Sequence, residues 1–228
     1  MNTKSIMIMS LIFSLAAIGC SPGSEFPELS GSYLGQTPPG RSPVLFAPGV
    51  VSTGMYERDT AITPGGDELY YGLAFGQIVT VMRTRLENGR WTEPSVAPFA
   101  SESDYFYFEP CLSPDGNTIY FLCTRPPAGR EPKPGWAHQN IWASNRRENG
   151  DWGEIYDVGP AVNTEAGEYF PSVTDNRTMY FTRSAPGGQP AIYRSRWNGD
   201  QRRQQGGRRH PQQPSPPADS PVHLSESP

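Results

Sequence analysis

The sequence predicts an all-β protein, on three observations: a turn-and-strand phrase that recurs three times, a composition dense in turn residues and aromatics, and short β-branched runs between the turns. The 228 residues contain 25 prolines and 24 glycines, and 11% are aromatic. That mixture fits many tight bends joined by strands rich in Tyr, Phe and Trp. The phrase is "TPGGDELYY" (Thr63 to Tyr71), "SPDGNTIYF" (Ser113 to Phe121) and "TDNRTMYF" (Thr174 to Phe181). Repetition changes the fold expectation, because a repeated unit stacks on its own copies.

The elements follow in chain order. Lys4, the apolar run Ile6 to Ile18 and the small-residue box Ala17, Ile18, Gly19, Cys20 form an export leader, with an apolar stretch short for a bilayer span. This leader resembles a bacterial lipoprotein signal. The resemblance implies cleavage after residue 19 and acylation of Cys20, with Ala17 where leucine is commoner. An ordinary cleaved secretory signal or an uncleaved anchor helix are the alternatives. Residues 1–19 are thus the leader, and 20–42 a lipidated N-terminus and tether. The stretch from Gly31 to Ser52 resembles the lead-in of exported repeat proteins, which implies an added outer strand.

Residues 43–200 hold the repeats. Each turn phrase is followed by an Asn-Gly element: "RLENGRWTEP" from Arg85, "RRENGDWGE" from Arg146 and "RSRWNGD" from Arg194. The separations Tyr70–Asn88, Tyr120–Asn149 and Tyr180–Asn198 are 18, 29 and 18 residues, so the middle copy carries an 11-residue insert. It lies in the Pro- and Gly-rich stretch Pro126 to Gln139. The second unit parses as strands near 108–112, 118–123, 140–145 and 155–158, joined by Asp115-Gly116, the insert and Asn149-Gly150. Four antiparallel strands per unit of this length make a propeller blade. Alternation puts Ile119, Phe121 and Cys123 toward one neighbouring blade and Tyr120 and Leu122 toward the other. Trp91 and Trp152, just past the Asn-Gly turns, suit rings over an outer strand at the blade edge.

The phrase "SPDG…IYF", with "NIW" and "NG.W" downstream, resembles the WD40-like propeller repeat of TolB-type and related exported bacterial proteins over about Glu57 to Asp200. The resemblance implies an interaction or ligand-binding scaffold more than an enzyme. The middle copy matches best; the first has Gly65-Gly66 for the Asp-Gly turn, and the third lacks both Pro and Gly. In the repeat turns, Pro64, Gly65, Pro114, Asp115, Gly116, Asp175 and Asn176 are structural: Pro pre-sets the bend and Gly accepts a positive φ. Asp59, Glu109 and Glu168 are expected as solvated rim charges, with a ligand-binding mouth as the functional alternative.

Three blades fall short of a closed ring, so the expectation is an incomplete propeller with an outer strand missing after Asp200. Gln201 to Pro228, with six Pro, five Gln, four Arg and no Phe, Tyr or Trp, reads as a disordered tail. A chain shortened from a larger propeller, or a fragment without independent function, is one alternative. An envelope hydrolase or lyase is another. No G-x-S-x-G elbow occurs within residues 43–200, and His138, His210 and His223 do not cluster, so neither catalytic residues, metal nor cofactor are expected. A register pairing Leu112 with Ile119 puts Cys111 opposite Tyr120, not Cys123, so the two cysteines are expected unpaired. The net charge of −4 gives no reason to expect nucleic acid. The expected partners are an envelope protein or glycan and, through the lipid, a membrane. Ser21 after the cysteine, in place of a retaining aspartate, favours the outer membrane facing the periplasm in a diderm.

Overall fold

The computed structural model describes residues 26–184, 187–197 and 202–205. Ala17, Ile18, Gly19 and Cys20 lie outside them. Among the described residues no helix is long and apolar enough to cross a membrane. The strands are β1 Tyr56–Ile62, β2 Glu68–Phe75, β3 Ile78–Glu87, β4 Arg90–Trp91, β5 Ser95–Val96, β6 Tyr107–Leu112, β7 Thr118–Cys123, β8 Asn140–Arg146, β9 Trp152–Asp157, β10 Gly167–Val173, β11 Thr178–Ser184, β12 Ala191–Trp197 and β13 Arg202–Gln205. They form three antiparallel sheets, β1–β5, β6–β9 and β10–β13, each a blade of an open-arc β-propeller. β6 packs beside both β1 and β10, so the first strand of each blade lies on the arc's axis.

Turn chemistry sets each blade's register. In the second turn Gly116 donates its N–H to Ser113 O at 2.8 Å and holds φ 70°, while Asp115 Oδ1 accepts from the Ser113 hydroxyl and the Asn117 N–H. Leu112 then pairs with Ile119 and Cys111 with Tyr120, as expected, and both cysteines are free thiols. The third turn closes the same bond, Arg177 N–H to Thr174 O, with Arg177 at φ 59° in place of glycine. Asn88 and Gly89 both hold positive φ between the paired Glu87 and Arg90, the signature of a two-residue type I′ hairpin.

Burial follows the predicted alternation at Ile119, Tyr120, Phe121 and Cys123 but not at Leu122. Ile119, Phe121 and Cys123 pack with Tyr70, Val81 and Phe99 between blades one and two, whereas Tyr120 packs with Ile141, Met179 and Phe181 between blades two and three. Leu122 joins Val79 and Phe108. Trp152 departs from expectation, whereas Trp91 stays with the outer strand β4. Trp152 is buried in the first blade interface, where its Nε1 donates to Tyr70 Oη at 2.8 Å and the Arg146 guanidinium lies 4.3 Å from its ring centroid. Arg146 Nη2 and Tyr70 Oη both donate to Glu68 Oε2, at 2.6 and 2.8 Å. The indole occupies the interface because its apolar body fills the gap and its N–H has a partner there.

Two further expectations are corrected. The described part of the segment expected as a tether is packed: Leu34, joined by Val50 and Val51 from the start of the region expected as blades, covers Leu69, Tyr71 and Trp91 on the outer face of blade one, and Trp91 donates through N–H and Nε1 to Leu29 O and Gly31 O, both at 2.8 Å. It adds no strand to the sheet; apolar burial and the two Trp91 hydrogen bonds hold it there. The outer strand expected to be missing after Asp200 is present as β13, whose Arg203 pairs with Arg196 of β12. Backbone pairing needs no apolar side chain, so composition alone hides it. The remainder of the tail lies outside the described residues.

Candidate ligand-binding site at the blade axis

The axial strands are interrupted at one equivalent point. Pairing shifts between Arg58 and Ala61, Phe108 and Cys111, and Tyr169 and Ser172, so two residues of each axial strand oppose one of its neighbour. These are β-bulges, which bend the strand and re-aim a side chain. The first bulge residues, Asp59, Glu109 and Phe170, hold φ of 55°, 55° and 54°. Pro110 and Pro171 follow the second and third; a residue without an N–H sits readily where the ladder is broken. All three bulge residues line one cavity of about 480 Å³, with Ile62 and Cys111 among its other walls.

Arg58 ties the three blades together there. Its guanidinium carbon lies 5.9, 5.2 and 5.0 Å from the ring centroids of Tyr56, Phe108 and Phe170. Nε donates to Asp59 Oδ2 at 2.5 Å and Nη1 to Tyr56 Oη at 3.2 Å. Beside Arg58, Glu109 is 6% exposed, and its Oε2 accepts the Phe170 N–H at 2.6 Å. Burial, helped by the Asp59 charge, pushes the Glu109 carboxyl up to about 7, against the opposing pull of the Phe170 N–H and Arg58. The insert contributes too: Trp136 returns to within 4.9 Å of the Phe106 ring and 6.4 Å of Phe108.

The acidic residues therefore do not form a solvated rim. Asp59 and Glu109 meet at the axis; Glu168 sits apart, fully buried and bonded by Arg183 Nε at 2.7 Å and the Thr164 hydroxyl at 2.6 Å. His138 is also buried, its Nε2 2.8 Å from Glu131 O, and among the described residues no group of His, Cys, Asp and Glu is placed to hold a metal ion. Sequence reasoning missed Arg58, Tyr56, Phe170 and Trp136. No repeat or periodicity marks them: Arg58 and Phe170 stand at or beside a bulge that only the pairing reveals.

The repeat-turn residues lie elsewhere. Pro114, Asp115 and Asp175 line a larger cavity, about 1190 Å³, between blades two and three. The matching space between blades one and two is filled by Phe99, stacked on Phe121 at 4.6 Å and edge-on to Trp152 at 6.3 Å. Pro98-Phe99 in the first linker corresponds to Pro160-Ala161 in the second, which leaves that volume open.

No family model matches the sequence, and no curated protein does. Its similar solved structures include TolB proteins. The TolB of Acinetobacter baumannii aligns at 19% identity and a TM-score of 0.45 over 68% of this chain and 33% of that one. A putative TolB from Agrobacterium tumefaciens aligns at 16% and 0.42 over 63% and 46%. A thermostable family-43 glycoside hydrolase aligns at 15% and 0.43 over 70% and 61%. The chain therefore spans less than half the length of either TolB.

Proposed function

We propose that this chain is an exported, lipid-anchored β-propeller scaffold that holds an envelope protein or glycan at its axial site. One observation carries the binding site: a left-handed backbone that glycine would occupy at no steric cost is filled at three equivalent positions by Asp59, Glu109 and Phe170. Side chains kept at such positions despite strain mark a surface whose chemistry is used. The anchor rests on the leader and Cys20, since two or three acyl chains hold a protein firmly on a membrane. Ser21 in place of aspartate supports an outer-membrane address in a diderm.

Two experiments test this. Metabolic labelling with an acyl probe should mark the protein, and Cys20→Ser should abolish the label and release the protein to the soluble fraction; a mutant still labelled refutes the anchor. A photo-crosslinking phenylalanine analogue at position 170 should trap an envelope component in cells. The same analogue at Ala128 in the insert should not. Equal trapping at both positions refutes the axial site.

A further inference from the structure

At the axial site one ion pair stands open to a third group, and the atoms on its two sides specify what such a group must offer. Arg58 is held by Asp59 and Tyr56 through Nε and Nη1, and Glu109 by the Phe170 N–H through Oε2. Their remaining atoms, Arg58 Nη2 and Glu109 Oε1, face each other at 3.7 Å, too far for a direct hydrogen bond. A group bridging them must accept from a guanidinium on one side and donate to a carboxyl oxygen on the other. A hydroxyl does both. A ligand carboxylate would satisfy Arg58 but meet Asp59 and Glu109; a ligand ammonium would satisfy Glu109 but meet the Arg58 cation. The surroundings add a second requirement. Phe170, which lines the cavity, and Tyr56, beside Arg58, are 43 and 58% exposed, aromatic surfaces left facing solvent next to the polar pair. Aromatic surface beside a pair that a hydroxyl can bridge suits a ligand with alternating apolar faces and hydroxyl edges, and the adjoining cavity's volume lies within the range of small-molecule sites.

We propose that the axial site binds a neutral saccharide residue, one hydroxyl of which accepts from Arg58 Nη2 and donates to Glu109 Oε1 while an aromatic ring covers a sugar face. This rests on the axis being the binding surface, and names its ligand. The test is saturation-transfer NMR on the full chain in detergent, with maltotriose, cellotriose, xylotriose and chitotriose as probes. At least one should receive saturation, and E109Q and R58K should each raise its dissociation constant at least tenfold. Tyr56→Ala, at an exposed position, should raise it severalfold with an unchanged melting curve, which keeps the test informative where the buried variants unfold. Ile192→Ser, on the far face of blade three, should leave it unchanged. Saturation of none of the four sugars, or saturation that the axial variants do not weaken, overturns the proposal. If the analogue at position 170 then still traps a protein, the axial scaffold stands without the sugar; if it traps nothing, both fall.

Discussion

A left-handed backbone costs an ordinary residue on the order of 1–3 kcal/mol, and the chain treats that cost differently in its turns and at its axis. In the second turn glycine takes the position: Gly116 holds φ 70°, and a Cβ there would lie 3.0 Å from Pro64 Cδ of the first blade's turn. Gly116→Val should therefore destabilise by about 1–2 kcal/mol in chemical denaturation, while Ala128→Ser in the insert should change almost nothing. Equal small effects would mean the turn is not strained. At the axis Glu109 keeps both the strain and a buried carboxyl. Its folded value of about 7 stands above the unfolded 4.5, so between these values the folded state holds the extra proton and stability falls as pH rises. Melts from pH 4 to 8 should show this decline, and Glu109→Gln should flatten it; an unaltered slope in the variant would assign the decline to other groups.

At the scale of the element, each blade owes its identity to what it places in the gap beside it. Trp152 fills the first gap and shares its N–H with Tyr70, within reach of the Glu68–Arg146 ion pair. Truncation to alanine should cost about 3–5 kcal/mol, read from denaturant midpoints. A loss below 1 kcal/mol would mean that the interface collapses readily around the space. Much of this level was legible in the sequence. Thr118–Cys123 is the strand that the turn and the β-branched run indicate, and pairing Leu112 with Ile119 follows from the length of the Ser113–Asn117 bend. Trp152 was misplaced because a residue's position after a turn does not say which side of the sheet receives it; the neighbouring blade decides. The axial site was half legible. Asp59 and Glu109 stand out as repeated acids, but their convergence depends on bulges, and a bulge is one extra residue that no periodicity announces. Arg58 and Phe170 were invisible for the same reason, and β13 because backbone pairing leaves no mark in composition.

For the whole molecule, the segment ahead of the blades is the decisive addition. Leu34, Val50 and Val51 bury a sheet face that an isolated first blade would expose, including Tyr71 and Trp91. Val51→Asp combined with Leu34→Asp should bare that face and drive self-association, measured as a mass shift in light scattering; a double variant that stays monomeric would show the cover to be dispensable. The far side of blade three is built differently, with Tyr180 and Ile192 39 and 69% exposed. The covered end comes first in the chain, and this gives the arc a direction in time as well as in space. In a polypeptide threaded outward from its N-terminus, the cover emerges before the sheet it shelters, so blade one can close on completion. Blade one would then offer Tyr70 and Val81 as a wall on which blade two can condense, and blade two the same for the third. Amide exchange in the native protein should retrace that order backwards, opening fastest in β11 and β12 and slowest in β2, because each unit in a linear stack leans on the one made before it.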